Sequence, residues 1–286
     1  MVKSVIKEAY GKINLLLKVG GLRPDGKHEV ATVLHKVALY DTVRVTLRDG
    51  EGIFIKCDDK NVPTDSRNLC FTAAEKYFAA AGVSSAVTVE IEKRIPVTGG
   101  MGGGSSDCAA TLLALNEICG ALSFKETLHI ARGLGSDVPF FMYDYRAMIG
   151  RGSGDDVTPC PEIKGELYGL FVIHGKKEST ARAYALLDEL KKSEINSDLV
   201  LTRKTDIMLE MLNKGKITGI IDALENDFEI SAEHYNTVKA ELEGLGCGKT
   251  LLCGSGPTIC GLFTDINAAD YAYNHIKYPS LICRIN

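Results

Sequence analysis

Tryptophan is absent from this sequence, and the remaining aromatics, 11 Tyr and 9 Phe, make up only 7% of it. A core with few large rings, in a chain with 29 Gly to turn it, favours a layered α/β or α+β enzyme over an all-β sandwich. Neither sign of charge dominates: 33 Lys and Arg stand against 37 Asp and Glu. That balance argues against a nucleic-acid binder, which concentrates basic residues. Disorder needs fewer apolar residues than the 45% found here. No apolar run approaches the ~20 residues of a membrane-spanning helix. The opening stretch MVKSVIKEAYGKIN carries charge too often for a signal peptide. No C-x-x-C pair occurs among the 9 Cys, and no His/Cys cluster has zinc spacing. These thiols read as reduced core residues of a reducing compartment. The expectation is a cytoplasmic protein with no membrane or nucleic-acid partner, a monomer or weak homodimer.

The chain of 286 residues suffices for one large domain or two modest ones. Residues 9–19 read as a strand with Ile13, Leu15 and Leu17 on one face, and 41–48 as a second by its alternation. The segment 52–57 follows an Asp49-Gly50 turn signal and reads as the partner of 41–48. A helix over 66–81, stopped by Gly82, leads to a strand over 87–97. Helices follow over 105–119 and 123–133. The stretch 146–161, with three Gly and two Pro, holds the domain change. Beyond it come a strand (167–173), helices (179–192, two within 200–224, and 231–243), strands (249–253 and 258–263), a helix (267–276) and a final strand. Helices grouped in pairs beside mixed strands give an α+β class.

The richest segment runs from Pro96 to Asp107. Gly99, Gly100, Gly102, Gly103 and Gly104 surround Met101, and Ser105 and Ser106 follow. Without Cβ atoms, the backbone N–H groups of such a loop can turn onto a ligand. The helix N-terminus behind it adds unpaired N–H groups and a positive dipole end. Together they form a cradle for phosphate; the alternative is a flexible turn capped by Ser. A dinucleotide G-x-G-x-x-G counted from Gly100 would need a third Gly where Ser105 stands. A Walker A loop is approached at 243–250, but Glu243 occupies the first Gly position.

Other segments bear on phosphoryl transfer, which asks a protein chiefly for positioning and charge stabilisation. Lys12 and Asn14 leave one strand face together, opposite Ile13 and Leu15, which suits either a substrate hydroxyl or a solvated face. Asp137 lies in a polar turn before Val138-Pro139-Phe140-Phe141, as a helix cap or as a working carboxylate. Asn68 could start the 66–81 helix, and Lys93 could be a solvated strand charge. His28 can hydrogen-bond a polar ring edge, and Tyr184 can stack on a ring or fill a helix face. The Gly254-Ser255-Gly256-Pro257 turn is a second wall for a cleft or an ordinary tight connection.

The Pro96–Asp107 loop resembles the phosphate loop of the GHMP kinases. Further motifs in the same order extend the resemblance over nearly the whole chain: Gly11-Lys12-Ile13-Asn14-Leu15, Arg23-Pro24-Asp25-Gly26-Lys27-His28, Leu134-Gly135-Ser136-Asp137-Val138-Pro139, Glu225-Asn226-Asp227-Phe228 and Cys253-Gly254-Ser255-Gly256-Pro257-Thr258. The resemblance implies a GHMP kinase fold: a ribosomal S5 domain 2-like N-terminal domain, here 1–158, and a ferredoxin-like C-terminal domain, here 159–286. It implies ATP and Mg²⁺ as cofactors, with the metal ligands left open, and a small-molecule alcohol as substrate. Asp137 would be the general base and Lys12 its partner. Asn68, Lys93 and Gly99 through Ser106 would serve the nucleotide. The extended Gly-Gly-Ser-Ser-Asp form points to an acceptor bearing a cytidyl diphosphate, with homoserine or mevalonate as the alternative. Asn14, Lys27, His28, Thr180 and Tyr184 would bind that acceptor. Two positions depart from the pattern: Lys27 stands where the family has a Tyr that stacks on cytosine, and Lys177-Glu178 replace Gly-Val.

Overall fold

The computed structural model describes residues 2–175, 179–190, 197–232 and 234–285. Its elements run β1 (Lys3–Leu22), β2 (His28–Arg48), β3 (Gly52–Cys57), α1 (Leu69–Ala81), β4 (Ala86–Glu92), α2 (Gly103–Cys119), α3 (Phe124–Arg132), α4 (Val138–Phe141), β5 (Ala147–Arg151) and β6 (Asp156–Pro159). Then follow β7 (Tyr168–Ile173), α5 (Thr180–Leu190), α6 (Asp198–Lys214), α7 (Ile217–Ala223), β8 (Glu225–Asn226), α8 (Tyr235–Gly244), β9 (Lys249–Leu252), β10 (Thr258–Phe263), α9 (Ile266–His275) and β11 (Ser280–Arg284). The expected residues 191 and 192 of the 179–192 helix lie outside the described residues.

Two compact units divide the chain. The first takes residues up to Gly11, Leu39–Val97 and Gly102–Asp144; the second takes Lys12–Ala38, Thr98–Met101 and the chain from Tyr145 onward. In the first unit the later half of β2 pairs antiparallel with β4, from Thr42↔Glu92 to Arg48↔Ala86. β3 pairs with β4 in parallel, from Gly52↔Ala86 to Cys57↔Ile91. This corrects the expected hairpin between 41–48 and 52–57. Parallel neighbours need a crossover, and α1 supplies it between β3 and β4. β4 buries Val87, Val89 and Ile91 and so takes the inner place, while β3 keeps Phe54 exposed.

Local signals set the helices of this unit. Asn68 accepts from the Cys70 N–H at the start of α1, and Gly82 closes it at φ 62°. Ser123 and Glu126 cap α3 reciprocally. α1 packs on α2, and α3 and α4 pack on α2 as well. The Tyr77 hydroxyl donates to Asn116 Oδ1 at 2.9 Å, joining α1 to α2.

In the second unit the early half of β2 pairs with β5 (Thr32↔Gly150 to His35↔Ala147), β5 with β6, and β1 with β8. Residues 28–40, β5 and β6 are strands that the sequence reading left out; β5 and β6 fall in the stretch taken only as a domain change. A second sheet, in the order β11-β7-β10-β9, is wholly antiparallel. With α8 and α9 packed on it, the succession β7, α8, β9, β10, α9, β11 is the βαββαβ plan of a ferredoxin-like layer. Its core joins Leu170 and Val172 of β7 to Val238 and Leu242 of α8, Ile259 of β10 and Ala269 and Ala272 of α9. All nine cysteines are free thiols.

Candidate active site

In the first unit the glycine segment becomes the start of α2. The helix begins at Gly103, earlier than the expected 105, and Gly102 occupies the capping position at φ 74° with no side-chain cap. A helix leaves its first-turn N–H groups without internal partners, and here a 17-residue helix aligns its dipole behind them. Gly104 is exposed, Ser105 half-buried and Ser106 buried. Gly103 rests on Lys93 and Ile95: a Cβ there would stand 3.2 Å from Lys93 Nζ and 3.1 Å from Ile95 Cγ2.

Lys93 is no solvated charge. Its ammonium is buried and donates to Asp107 Oδ2 at 2.8 Å and to Asp41 Oδ2. Burial disfavours the Lys93 charge, but the two carboxylates outweigh it and hold its pKa above the usual lysine value. Asp41 also accepts from the Ile95 N–H at 2.8 Å and from the Arg94 N–H at 2.5 Å. Asn68 spends both ends of its amide within the protein, accepting from Cys70 N–H and donating to the Pro63 carbonyl at 2.7 Å. Asp137 holds the first position before α4, with Pro139 in the first turn, and makes no side-chain capping hydrogen bond. It is half-buried, while Val138, Phe140 and Phe141 behind it are buried.

In the second unit Lys12 and Asn14 are buried at 3% exposure each, so their strand face is interior and not solvated. Lys12 Nζ donates to Asn14 Oδ1 at 2.7 Å, Asn14 Nδ2 to Thr32 Oγ1 at 2.8 Å, and Thr32 Oγ1 to the Leu16 carbonyl at 2.7 Å. This relay fixes the ammonium. The Lys12 N–H donates to the Met101 carbonyl at 2.9 Å, and the Thr258 N–H to the Gly99 carbonyl at 3.3 Å. Between those bonds the Gly99–Met101 segment and the Gly254–Pro257 turn meet backbone to backbone. A Cβ on Gly100 (φ 83°) would stand 2.1 Å from the Cys253 carbonyl oxygen, and one on Gly254 (φ 57°) 3.0 Å from the Gly100 oxygen and 3.4 Å from Lys12 Nζ. Thr98 just before takes φ 59°, a costly conformation for a β-branched residue and the kind of strain found at ligand clamps. Asn226, quoted in a motif but given no role, secures the turn by donating to the Leu252 and Gly254 carbonyls at 2.7 Å each.

A second group gathers around His28. Its ring stacks on Tyr184 with centroids 4.9 Å apart and planes 11° apart, and Tyr184 stands edge-on to Phe228. His28 Nδ1 faces the Gly20 carbonyl at 3.1 Å, and Nε2 faces Asp188 at 3.4 Å. Lys27 is exposed, with its N–H donating to Asp25 Oδ1 at 3.1 Å. Thr180 is exposed at the first position of α5. Lys177 and Glu178 lie outside the described residues. Among the described residues no group of three His, Cys, Asp or Glu side chains is arranged to hold a metal ion, and no helix is long and apolar enough to cross a membrane.

Comparison with known proteins adds to this geometry. The family described as "GHMP kinases N terminal domain" matches residues 68–145, and "GHMP kinases C terminal" matches 201–278. The chain is 34% identical to a 4-diphosphocytidyl-2-C-methyl-D-erythritol kinase of Syntrophotalea carbinolica, over 95% of this chain and 94% of that one. It is 35% identical to the protein of the same name from Chloroherpeton thalassium, over 95% and 94%. A crystal structure of 4-(cytidine 5'-diphospho)-2C-methyl-D-erythritol kinase superposes with a TM-score of 0.80 at 28% identity, covering 98% of both chains. A homoserine kinase from Cytophaga hutchinsonii, at 18% identity and a TM-score of 0.74 over 99% of this chain and 94% of its own, shares the fold alone.

Proposed function

The chain belongs to the GHMP kinases, within them to the 4-diphosphocytidyl-2-C-methyl-D-erythritol kinases, and from that membership we propose that it transfers the terminal phosphoryl group of ATP to the 2-hydroxyl of 4-diphosphocytidyl-2-C-methyl-D-erythritol. This is a step in isoprenoid precursor synthesis by the route that bypasses mevalonate. The observation that carries the phosphate side is the open N-terminus of α2 at the glycine loop, where N–H groups and dipole suit a polyphosphate.

In this reading Asp137 takes the proton from the acceptor hydroxyl as its oxygen attacks the terminal phosphorus, and the bond to the ADP oxygen breaks. Lys12, immobilised by Asn14, stabilises the negative charge that develops in the transition state. Gly99 through Ser106 hold the phosphates, with Asn68 and Lys93 shaping the nucleotide side. His28 and Tyr184 take the cytosine, and Lys27, Asn14 and Thr180 complete acceptor recognition. Mg²⁺ bound together with the nucleotide at the Gly99–Ser106 loop would supply neutralisation of the charge on the transferring group. The family domains divide near 158/159. The enzyme works in the cytoplasm as a monomer or weak homodimer, without nucleic acid. Purified protein should release ADP from ATP when the cytidyl alcohol is supplied, and no release would reject the reading.

A further inference from the structure

Asp107 closes the glycine-rich motif and has no part in the chemistry described above. It sits in the second turn of α2 with 3% of its surface exposed. One oxygen, Oδ2, accepts from Lys93. The other, Oδ1, is buried with no hydrogen-bond partner. Asp41 shares the same ammonium but is fully engaged, accepting from Lys93 and from the Arg94 and Ile95 N–H groups. Two carboxylates and one ammonium leave a net negative charge in the interior when all are ionised. A proton taken up by the pair therefore sits on Asp107, whose free oxygen has no donor to lose. The Lys93 ammonium in turn lies against Gly103, the first helical residue of the loop.

We propose that Asp107 is a positioning residue for the nucleotide: acting through Lys93, it opposes polyphosphate binding at the glycine loop when ionised and permits it when protonated. This rests on the reading that residues 99–106 hold the ATP phosphates. Burial raises the Asp107 carboxyl to about 7; the Asp41 charge adds to that rise, and Lys93 opposes it. The other titratable groups acting on the cluster are thiols: Cys70 on α1, Cys108 on α2 and Cys57 on β3, all pushed up by burial and so neutral in this range. Exposed Asp58 accepts from the Lys93 N–H on the solvent side. The sign follows directly. Below pH 7 the cluster is neutral and ATP binds more tightly. Above it the ionised Asp107 repels the phosphates, and a bound anion draws a proton back onto the carboxyl.

A unit charge within a turn or two of an anion changes its affinity about tenfold at the effective dielectric of a protein. Titration of the whole protein with MgATP should therefore show Kd rising about tenfold from pH 6 to pH 8. Asp107→Asn keeps the shape without the charge and should flatten that rise. Independently of any variant, calorimetry of MgATP binding near pH 7 in buffers of different ionisation enthalpy should reveal proton uptake. A wild-type Kd that does not rise with pH, an Asp107→Asn profile identical to the wild-type one, or binding without proton uptake each overturns the proposal. The loop reading fails separately, if Gly100→Ala leaves MgATP affinity intact.

Discussion

Lys12 shows how little a side chain's neighbours in sequence reveal of its setting. Its place opposite Ile13 and Leu15 suggests a polar face, yet the face is interior, and the ammonium is fixed by Asn14 and Thr32. Thr32 lies 18 residues beyond Asn14 and carries no local signal. Asp137 stands out in the sequence by its motif, and the structure places it half-buried just before α4. Asp137→Asn should lower kcat by about 10²–10⁴-fold, the usual worth of a general base, while calorimetric ATP affinity changes little; near-normal turnover would make the residue structural. Among the residues proposed for the acceptor, Lys27 is exposed, whereas Tyr184 stacks on His28. Base–aromatic stacking is worth about 1–3 kcal/mol, so Tyr184→Ala should raise the acceptor KM roughly tenfold with its salt response unchanged. Lys27→Ala should raise the same KM by less and weaken its salt dependence, because a charge pair with the acceptor diphosphate is screened within about 8 Å at physiological ionic strength. The Asp41–Lys93–Asp107 cluster had no signature at all, since its members lie 52 and 14 residues apart.

At the scale of elements, periodicity located the longer helices to within a few residues, and some carry their own start and stop, as Asn68 and Gly82 do for α1. Strand pairing was less legible. The Asp49-Gly50 signal suggested a hairpin, but β4 displaces β3 from β2 through a contact formed some 40 residues later in the chain. β5 and β6, five and four residues long, are too short to stand out, and β5 is held as a strand by pairing with β2 and β6. The glycine loop is legible from its run of Gly ahead of a helix, and the Gly254 turn as a candidate second wall; their backbone contact through Gly100 and Cys253 is not. Gly100 takes φ 83° and leaves no room for a Cβ. Gly100→Ala should therefore cost at least about 1–2 kcal/mol from the left-handed backbone alone, shift the segment off the Cys253 carbonyl and reduce ATP affinity severalfold. A variant that binds ATP as the wild type does would remove this junction from the nucleotide site.

For the whole molecule, the motifs fall in family order from Gly11 to Thr258, and the relatives align over 95% of the chain. Fold alone does not separate acceptors, since a homoserine kinase shares it at 18% identity. The assignment of the acceptor therefore rests on the relatives at 34–35% identity. The most direct measurement is a competition assay with ATP and equimolar 4-diphosphocytidyl-2-C-methyl-D-erythritol, homoserine and mevalonate, with products identified by mass and the phosphorylated position by phosphorus NMR. The account predicts phosphate on the 2-hydroxyl of the cytidyl alcohol and none on the other two. Phosphorylation of homoserine or mevalonate with the cytidyl alcohol untouched would contradict it.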